Sequence, residues 1–164
     1  MSLNVQIEPA AGNPPHLEYR WDADTDILTA SLRADADEGP AGIVELQGRD
    51  GSWVILDLRG GRIRGVEVAV WPDVRKLPAL LPPRGEYGRA TLARAAPAPG
   101  VLEIDTALSA EMDAPERTFH FRFGGREEAR SVRIADGLLL DVEPSSGKVL
   151  GLWLLDVPPF PFDQ

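Results

Sequence analysis

Two stretches of this chain repeat one pattern, and this internal repeat constrains the fold more than any other feature. Residues 17–32 align without gaps with residues 108–123, and in each copy an Asp-Ala turn precedes a strand of alternating apolar residues. Further along, each copy has an Asp-Gly turn, an apolar run that contains Asp57 or Asp141, and a glycine-containing hairpin arm. Two copies are too few for a solenoid, which needs about three units. The sequence therefore predicts a duplicated half-domain.

Each copy consists of short segments with strand and turn signals. Residues 54–58 and 138–142 are apolar runs bounded by turn residues, which is typical of strands buried on both faces. Gly65 and Gly151 lie at the same place in the following hairpin arms, where a glycine indicates a bulge or a close backbone approach. We expect a mainly β fold (β-rich α+β). It would contain two similar antiparallel β-hairpin or meander units related by a pseudo-two-fold, with at most one or two short helices.

The length of 164 residues suits one globular domain. We expect residues 1–164 to form a single domain built from repeat 1 at 17–81, a connecting segment at 82–107 and repeat 2 at 108–158. Within the connecting segment, residues 87–94 and 101–106 read as strands.

Two proline-rich segments lie outside this strand pattern. Residues 72–81 have proline at their start, and Pro82 follows them, which favours one or two short helical turns. In the tail at 158–164, we expect Phe160 and Phe162 to pack on the body of the domain. A proline-rich docking ligand is the alternative interpretation of this tail.

Charge and composition exclude several function classes. The chain has 17 basic and 26 acidic residues, a net charge of −9, two histidines and no cysteine. The lack of cysteine rules out a disulfide scaffold, a thiolate zinc site and a cysteine nucleophile. Apart from a small group at Arg59, Arg62 and Arg64, the basic residues are scattered among acidic ones, so we expect neither nucleic-acid binding nor membrane binding. The negative net charge favours a protein partner of basic charge. Residues 1–10 have no pattern of a targeting signal, and we expect a cytoplasmic location.

A few polar residues form the only candidate site in the sequence, and we predict no catalytic, cofactor-binding or metal-binding residue. Asp57 and Asp141 stand at the same place in both copies, near the end of an apolar strand. They either cap turns or form a paired acidic site across the pseudo-symmetry axis. Glu67 lies mid-strand among apolar residues and would need a partner if it were buried, with Arg62 or Arg64 available.

The remaining polar motifs lack the spacing that chemistry requires. His16 and His120 have no metal-ligand spacing, and His120 alternates with the phenylalanines of its strand, which predicts a solvent-facing side chain. The acidic run 22–26 lacks the glycine and glutamate of a calcium loop, so we expect a turn with solvated carboxylates and no tight calcium binding. A second acidic run at 35–38 is typical of a flexible loop.

The repeated segments resemble a known family. Residues 19–32 resemble the opening of a DUF2283 domain, and residues 50–57 with 61–68 resemble its closing hairpin. Residues 117–156 resemble the same domain again, with the best fit at 131–141. DUF2283 is a small bacterial family without an assigned function. The resemblance therefore implies a mostly β fold and supplies no catalytic residue, although some such domains look like partners of toxin-like ribonucleases.

We therefore expect a non-enzymatic β-sheet interaction module that binds a protein partner and could act in the manner of an antitoxin. Exposed strand edges would be the natural contact, and they would also permit self-association. The alternative is a small-ligand-binding protein or enzyme with an acidic site between the two repeats.

Overall fold

A computed structural model describes residues 2–33, 39–93, 100–124 and 128–161 of the chain. These residues form strands and turns and include no helix, so the predicted mainly β fold is confirmed. The strands are β1 (Val5–Pro9), β2 (His16–Asp22), β3 (Ile27–Arg33), β4 (Ala41–Gly48), β5 (Trp53–Arg59), β6 (Arg62–Val70), β7 (Val74–Leu77), β8 (Glu86–Leu92), β9 (Val101–Thr106), β10 (Leu108–Asp113), β11 (Phe119–Phe123), β12 (Arg130–Ala135), β13 (Leu138–Val142) and β14 (Val149–Leu154).

The strands of the two predicted repeats follow one order. In the first sheet the order is β2-β3-β6-β5-β4, and in the second sheet it is β10-β11-β14-β13-β12. The first sheet is extended by β9 beside β4, and the second by β7 beside β10 and by β8 beside β12. β8 also pairs with β6 and with β1, so the strands of the described residues form one continuous 14-stranded sheet, of which the first and second sheets are the two halves. The two-fold axis that would relate the sheets stays a prediction.

Gly65 and Gly151 have the close backbone contacts that their position in the sequence predicts. Gly65 pairs with Asp57 and Gly151 with Asp141, and the register of each hairpin shifts next to this pair. A Cβ on Gly65 would lie 2.8 Å from the backbone oxygen of Ala30. A Cβ on Gly151 would contact the equivalent oxygen of the second sheet even more closely. Only glycine leaves room for these carbonyls.

The inner faces of the two sheets share one core. Leucine and valine of the first sheet pack in one cluster with phenylalanine and leucine of the second, and Leu28, Leu56, Phe121 and Leu140 are fully buried within it. Burial of this apolar surface stabilises the fold by about 25 cal/mol per Å². The outer face of each sheet is the face that points away from this core.

The structure confirms β9 and places β8 one or two residues from its predicted bounds, but the predicted helix at 72–81 is wrong. Residues Val74–Leu77 form β7, which pairs in parallel with β10. The edge of β10 would otherwise have unpaired backbone groups, and pairing with β7 satisfies them. No helix of the described residues is long and apolar enough to cross a membrane.

A cluster of aromatic rings joins the two sheets at one end. Trp71 stacks on Trp21 at 5.8 Å between ring centroids and contacts Phe119 at 5.4 Å. Phe160 packs edge-on against Trp21 at 5.2 Å, which confirms the predicted packing of this residue. Phe162 lies outside the described residues. The tail is therefore attached to the body as far as the structure describes it.

Candidate functional site

The outer face of the second sheet is crossed by the chain itself. Residues 78–85, which we call the crossing segment, connect β7 at one edge of this sheet to β8 at the other. At the end of the segment, a Cβ on Gly85 would lie only 2.7 Å from the Cδ2 atom of Leu139. Leu139 lies on the outer face and is nevertheless 0% exposed. The crossing segment therefore passes over this face.

A polar network lies on this covered face. The Nε2 atom of His120 in β11 is 2.7 Å from Oδ2 of Asp141 in β13. Oδ1 of the same carboxylate accepts hydrogen bonds from the Ser131 hydroxyl at 3.2 Å and from the Trp153 indole N–H at 3.3 Å. The His120 ring stacks on Trp153 at 4.0 Å, with 9° between the planes. Both oxygens of this buried carboxylate thus have protein partners.

The network continues on the other side of the imidazole. Nδ1 of His120 is 3.8 Å from Oε1 of Glu111 in β10, and the same oxygen accepts a 2.9 Å hydrogen bond from Arg122. A general base needs one ring nitrogen for its orienting carboxylate and the other for the substrate. Here both nitrogens of His120 face carboxylates. The imidazole thus lies between the carboxylates of Asp141 and Glu111 and is hydrogen-bonded to Asp141 through Nε2.

His120 is buried, at 8% exposure, so the predicted solvent-facing histidine is wrong. Its alternation with Phe119 and Phe121 does place it on the outer face. At His120 this face is shielded from solvent, whereas Arg122 on the same face is exposed. The signal that could have revealed this is the apolar run of β13, which is fully buried on both faces.

Asp57 and Asp141 occupy the same register position but differ in environment. Asp141 is 9% exposed and its side chain accepts hydrogen bonds from side chains of its own sheet, which fits neither of the two alternatives, a turn cap or a pair with Asp57. Asp57 is exposed on the outer face of the first sheet. Glu67 is half-buried in β6, where it pairs with Thr29 and Ile55. The structure thus brings Asp141 together with His120 and leaves Asp57 on an open surface.

The two arginines of the predicted polar site lie near the hairpin turn of the first sheet. Arg62 is half-buried, pairs with Arg59 in β5 and faces Thr91 of β8. Arg64 is the additional residue of the bulge, because Leu58 pairs with Ile63 and the next pair involves Gly65.

The outer face of the first sheet has a row of acidic side chains. The row runs across four neighbouring strands, β9, β4, β5 and β6. Strand pairing places Glu103 beside Glu45, Glu45 beside Ile55, and Ile55 beside Glu67. Asp57 lies in the neighbouring row. The positions that match buried Leu139, Trp153, His120 and Asp141 are here partly or fully exposed. This difference in burial leaves the acidic side chains of the first sheet accessible.

A groove of about 550 Å³ lies between the two repeats, along the outer edge of β2. One wall is β2 and the other is the segment after β14, around Leu155 and Pro158. Carboxylates of Glu18, Asp136 and Asp156 lie at its rim. The predicted acidic site between the repeats involved Asp57 and Asp141, whereas neither of these residues lines this groove.

In the acidic run 22–26, a carboxylate accepts a hydrogen bond from the backbone of the turn. The Asp22 carboxylate accepts the N–H of Asp24, and this hydrogen bond holds the pKa of Asp22 below its ordinary value. Within the described residues no three His, Asp or Glu side chains are arranged to hold a metal ion. The second acidic run at 35–38 lies outside the described residues.

Comparison with protein families and with curated proteins finds no match for this sequence.

Proposed function

We propose that this protein is a non-enzymatic module that binds a basic protein partner through the outer face of its first sheet. The observation that carries the proposal is the contrast between two sheets of equal strand order. On the second sheet the outer-face residues Leu139, His120 and Asp141 are buried where the chain's own crossing segment reaches this face, and the matching positions of the first sheet are partly or fully exposed. A segment of the partner bound on the outer face of the first sheet would occupy the position that the crossing segment occupies on the second sheet.

The charges of the open face determine the chemistry of the partner. Glu45 and Glu103 are direct neighbours on adjacent strands, and like charges in such positions are destabilising. Glu67 and Asp57 add to the same negative surface. Lysine or arginine side chains of a partner would offset this repulsion. Ile55 between Glu45 and Glu67 supplies apolar area for the centre of the contact.

The net charge of the whole chain, −9, supports the same choice of partner. Long-range attraction raises the association rate of oppositely charged proteins, and salt reduces it. A basic ribonuclease of the toxin type, which the DUF2283 resemblance suggests, would have the required charge. On this proposal the module acts in the manner of an antitoxin in the cytoplasm, without nucleic acid or membrane as a ligand.

The test uses charge reversal with a matched control. The purified chain is used to capture partners from its own cell extract at low and high salt, and the captured protein is then titrated into variants. Asp57→Lys with Glu103→Lys should weaken binding by about tenfold or more at low salt. The control, Glu8→Lys with Asp24→Lys, makes the same change of net charge at exposed positions away from this face and should have a small effect.

Two outcomes would overturn the proposal. One is equal loss of affinity in both double variants, which would show that net charge alone attracts the partner. The other is that no protein is enriched at either salt concentration while a defined metabolite raises the melting temperature by several degrees. The alternative of a small-ligand-binding protein or enzyme would then replace it.

A further inference from the structure

The groove between the repeats lies along an unpaired strand edge. β2 pairs only with β3, so its other edge has no strand neighbour in the described parts of the chain. The N–H of Leu17 points away from β3, because it donates a 2.9 Å hydrogen bond to the Asp136 carboxylate. Backbone groups alternate in direction along an antiparallel strand. The N–H and C=O of Tyr19 therefore point to the same side as the N–H of Leu17, which is the side of the groove.

Two aromatic side chains of β2 tie this edge to the opposite wall of the groove. The Tyr19 hydroxyl donates to the carbonyl of Leu155 at 2.6 Å, and the Trp21 indole N–H donates to the carbonyl of Pro158 at 2.8 Å. Both side chains are on the inner side of β2, where they pack against the core. The walls of the groove are therefore fixed in place before any ligand binds, which lowers the entropic cost of binding.

The rim of the groove is acidic. Glu18 is exposed on β2, and Asp156 is exposed on the opposite wall, where Arg117 lies 3.9 Å from it. Asp136 closes one end of the groove, because its carboxylate accepts both the N–H of Leu17 and a 2.7 Å hydrogen bond shared with His16. A ligand that presents positive side chains at alternate positions fits this rim.

We infer that an extended, basic segment of the protein partner adds as a strand to the outer edge of β2 in this groove. This inference rests on the proposed function and names the part of the partner that makes the contact. Backbone hydrogen bonds to the edge supply affinity that does not depend on sequence, and side chains at alternate positions supply specificity. Glu18 lies on the outer face of the first sheet, so one segment can contact the groove and the acidic face together.

The experiment uses a synthetic peptide of alternating lysine and threonine or valine as the probe, with the full chain. The control is the same peptide with N-methyl groups on its central amides, which keeps the charge of the peptide and removes the backbone hydrogen-bond donors. Loss of two or more backbone hydrogen bonds should weaken binding by about tenfold or more. The amide signal of Tyr19 should shift and gain protection from hydrogen exchange when the unmodified peptide binds.

A pair of chain variants tests the rim. Glu18→Lys should weaken binding of the peptide by about fivefold at low salt, whereas Glu8→Lys, with the same change of net charge on β1, should have little effect. Equal affinity of the methylated and unmethylated peptides, or no measurable binding of either, would overturn the inference. If binding is insensitive to methylation but is lost in the Asp57→Lys and Glu103→Lys variant, the groove is not used and the proposed function stands.

Discussion

His120 and Asp141 share a 2.7 Å hydrogen bond on the outer face of the second sheet, although they are 21 residues apart in the chain. The bond forms because β11 and β13 both pair with β14: His120 lies opposite Trp153, and Asp141 lies opposite Gly151, which has no side chain to separate the two. At the matching positions of the first sheet lie Thr29 and Asp57. Thr29 takes the place of His120 and has no imidazole to offer the carboxylate. The same strand order therefore carries a buried polar network in one sheet and an open surface in the other.

Removal of the Asp141 carboxylate tests this difference. Asp141→Ala leaves the imidazole of His120, the indole N–H of Trp153 and the Ser131 hydroxyl without their acceptor in a buried place. We expect the free energy of unfolding to fall by about 3 kcal/mol, as measured by urea denaturation. Asp57→Ala, at the same position of the first sheet, should change it by about 0.5 kcal/mol or less. Equal effects of the two substitutions would contradict the burial difference.

The strand glycines give a second prediction. Gly151→Ala places a Cβ against the backbone oxygen of Phe121, and Gly65→Ala places one 2.8 Å from that of Ala30. Neither oxygen can move without breaking a strand pair, so we expect each substitution to lower the free energy of unfolding by about 2 kcal/mol or more. In the control, Gly12→Ala, nothing lies within 4 Å and only the φ of +83° is unfavourable. That variant should lose about 1 kcal/mol. A smaller loss for Gly151→Ala than for Gly12→Ala would refute the close contact.

Local patterns predicted many of the strands and the positions of these glycines, because alternation and turn residues act within a few neighbours, but β1 and β4 were not predicted. The edge strand β7 could not be predicted in this way, because residues 74–77 are extended only through their pairing with β10, which is distant in the sequence. The burial of His120 has a similar origin. Its side of the strand was predictable, but the segment that covers this side comes from another part of the sequence. The groove beside β2 depends in the same way on contacts between the two repeats.

The turn of the second repeat gives a prediction at acid pH. Partial burial raises the pKa of Asp113, but the backbone N–H groups of Thr118 and Arg117 donate to its carboxylate, and the net effect holds this pKa below its ordinary value of 3.8. The folded state thus favours the ionised form, and the resulting stability is present above pH 3.8 and lost as the pH falls through the folded pKa.

We therefore expect Asp113→Ala to be about 1–2 kcal/mol less stable than the natural chain at pH 7. The difference should shrink as the pH falls below the ordinary value of the carboxyl. Chemical denaturation of both chains at several pH values measures this difference. A difference that is constant down to the acid transition would show that the carboxylate is not what the turn requires. Asp24→Ala, in the turn of the first repeat, is the comparison for a nonspecific effect of lost charge.

Tyr19 gives the opposite pH dependence. Burial, together with the nearby charge of Asp156, raises the pKa of its phenol well above the ordinary value of 10.0. The folded state therefore favours the neutral form. The unfolded chain loses this proton near pH 10, so the stabilisation is complete below that pH and decreases as the pH rises toward the folded pKa. The expected slope is about 1.4 kcal/mol per pH unit for one proton.

The comparison of the natural chain with Tyr19→Phe isolates this proton, since both chains contain the same lysines and arginines. At pH 8 the variant should be about 1 kcal/mol less stable, because it lacks the hydrogen bond to Leu155. Above pH 10 the difference should decrease and then reverse, because phenylalanine has no proton to lose. In a Tyr87→Phe background, tyrosinate absorbance reports Tyr19 alone, and it should rise only as the protein unfolds. A rise near pH 10 in the folded protein would show that the phenol is accessible and that Tyr19 does not fix the two walls of the groove.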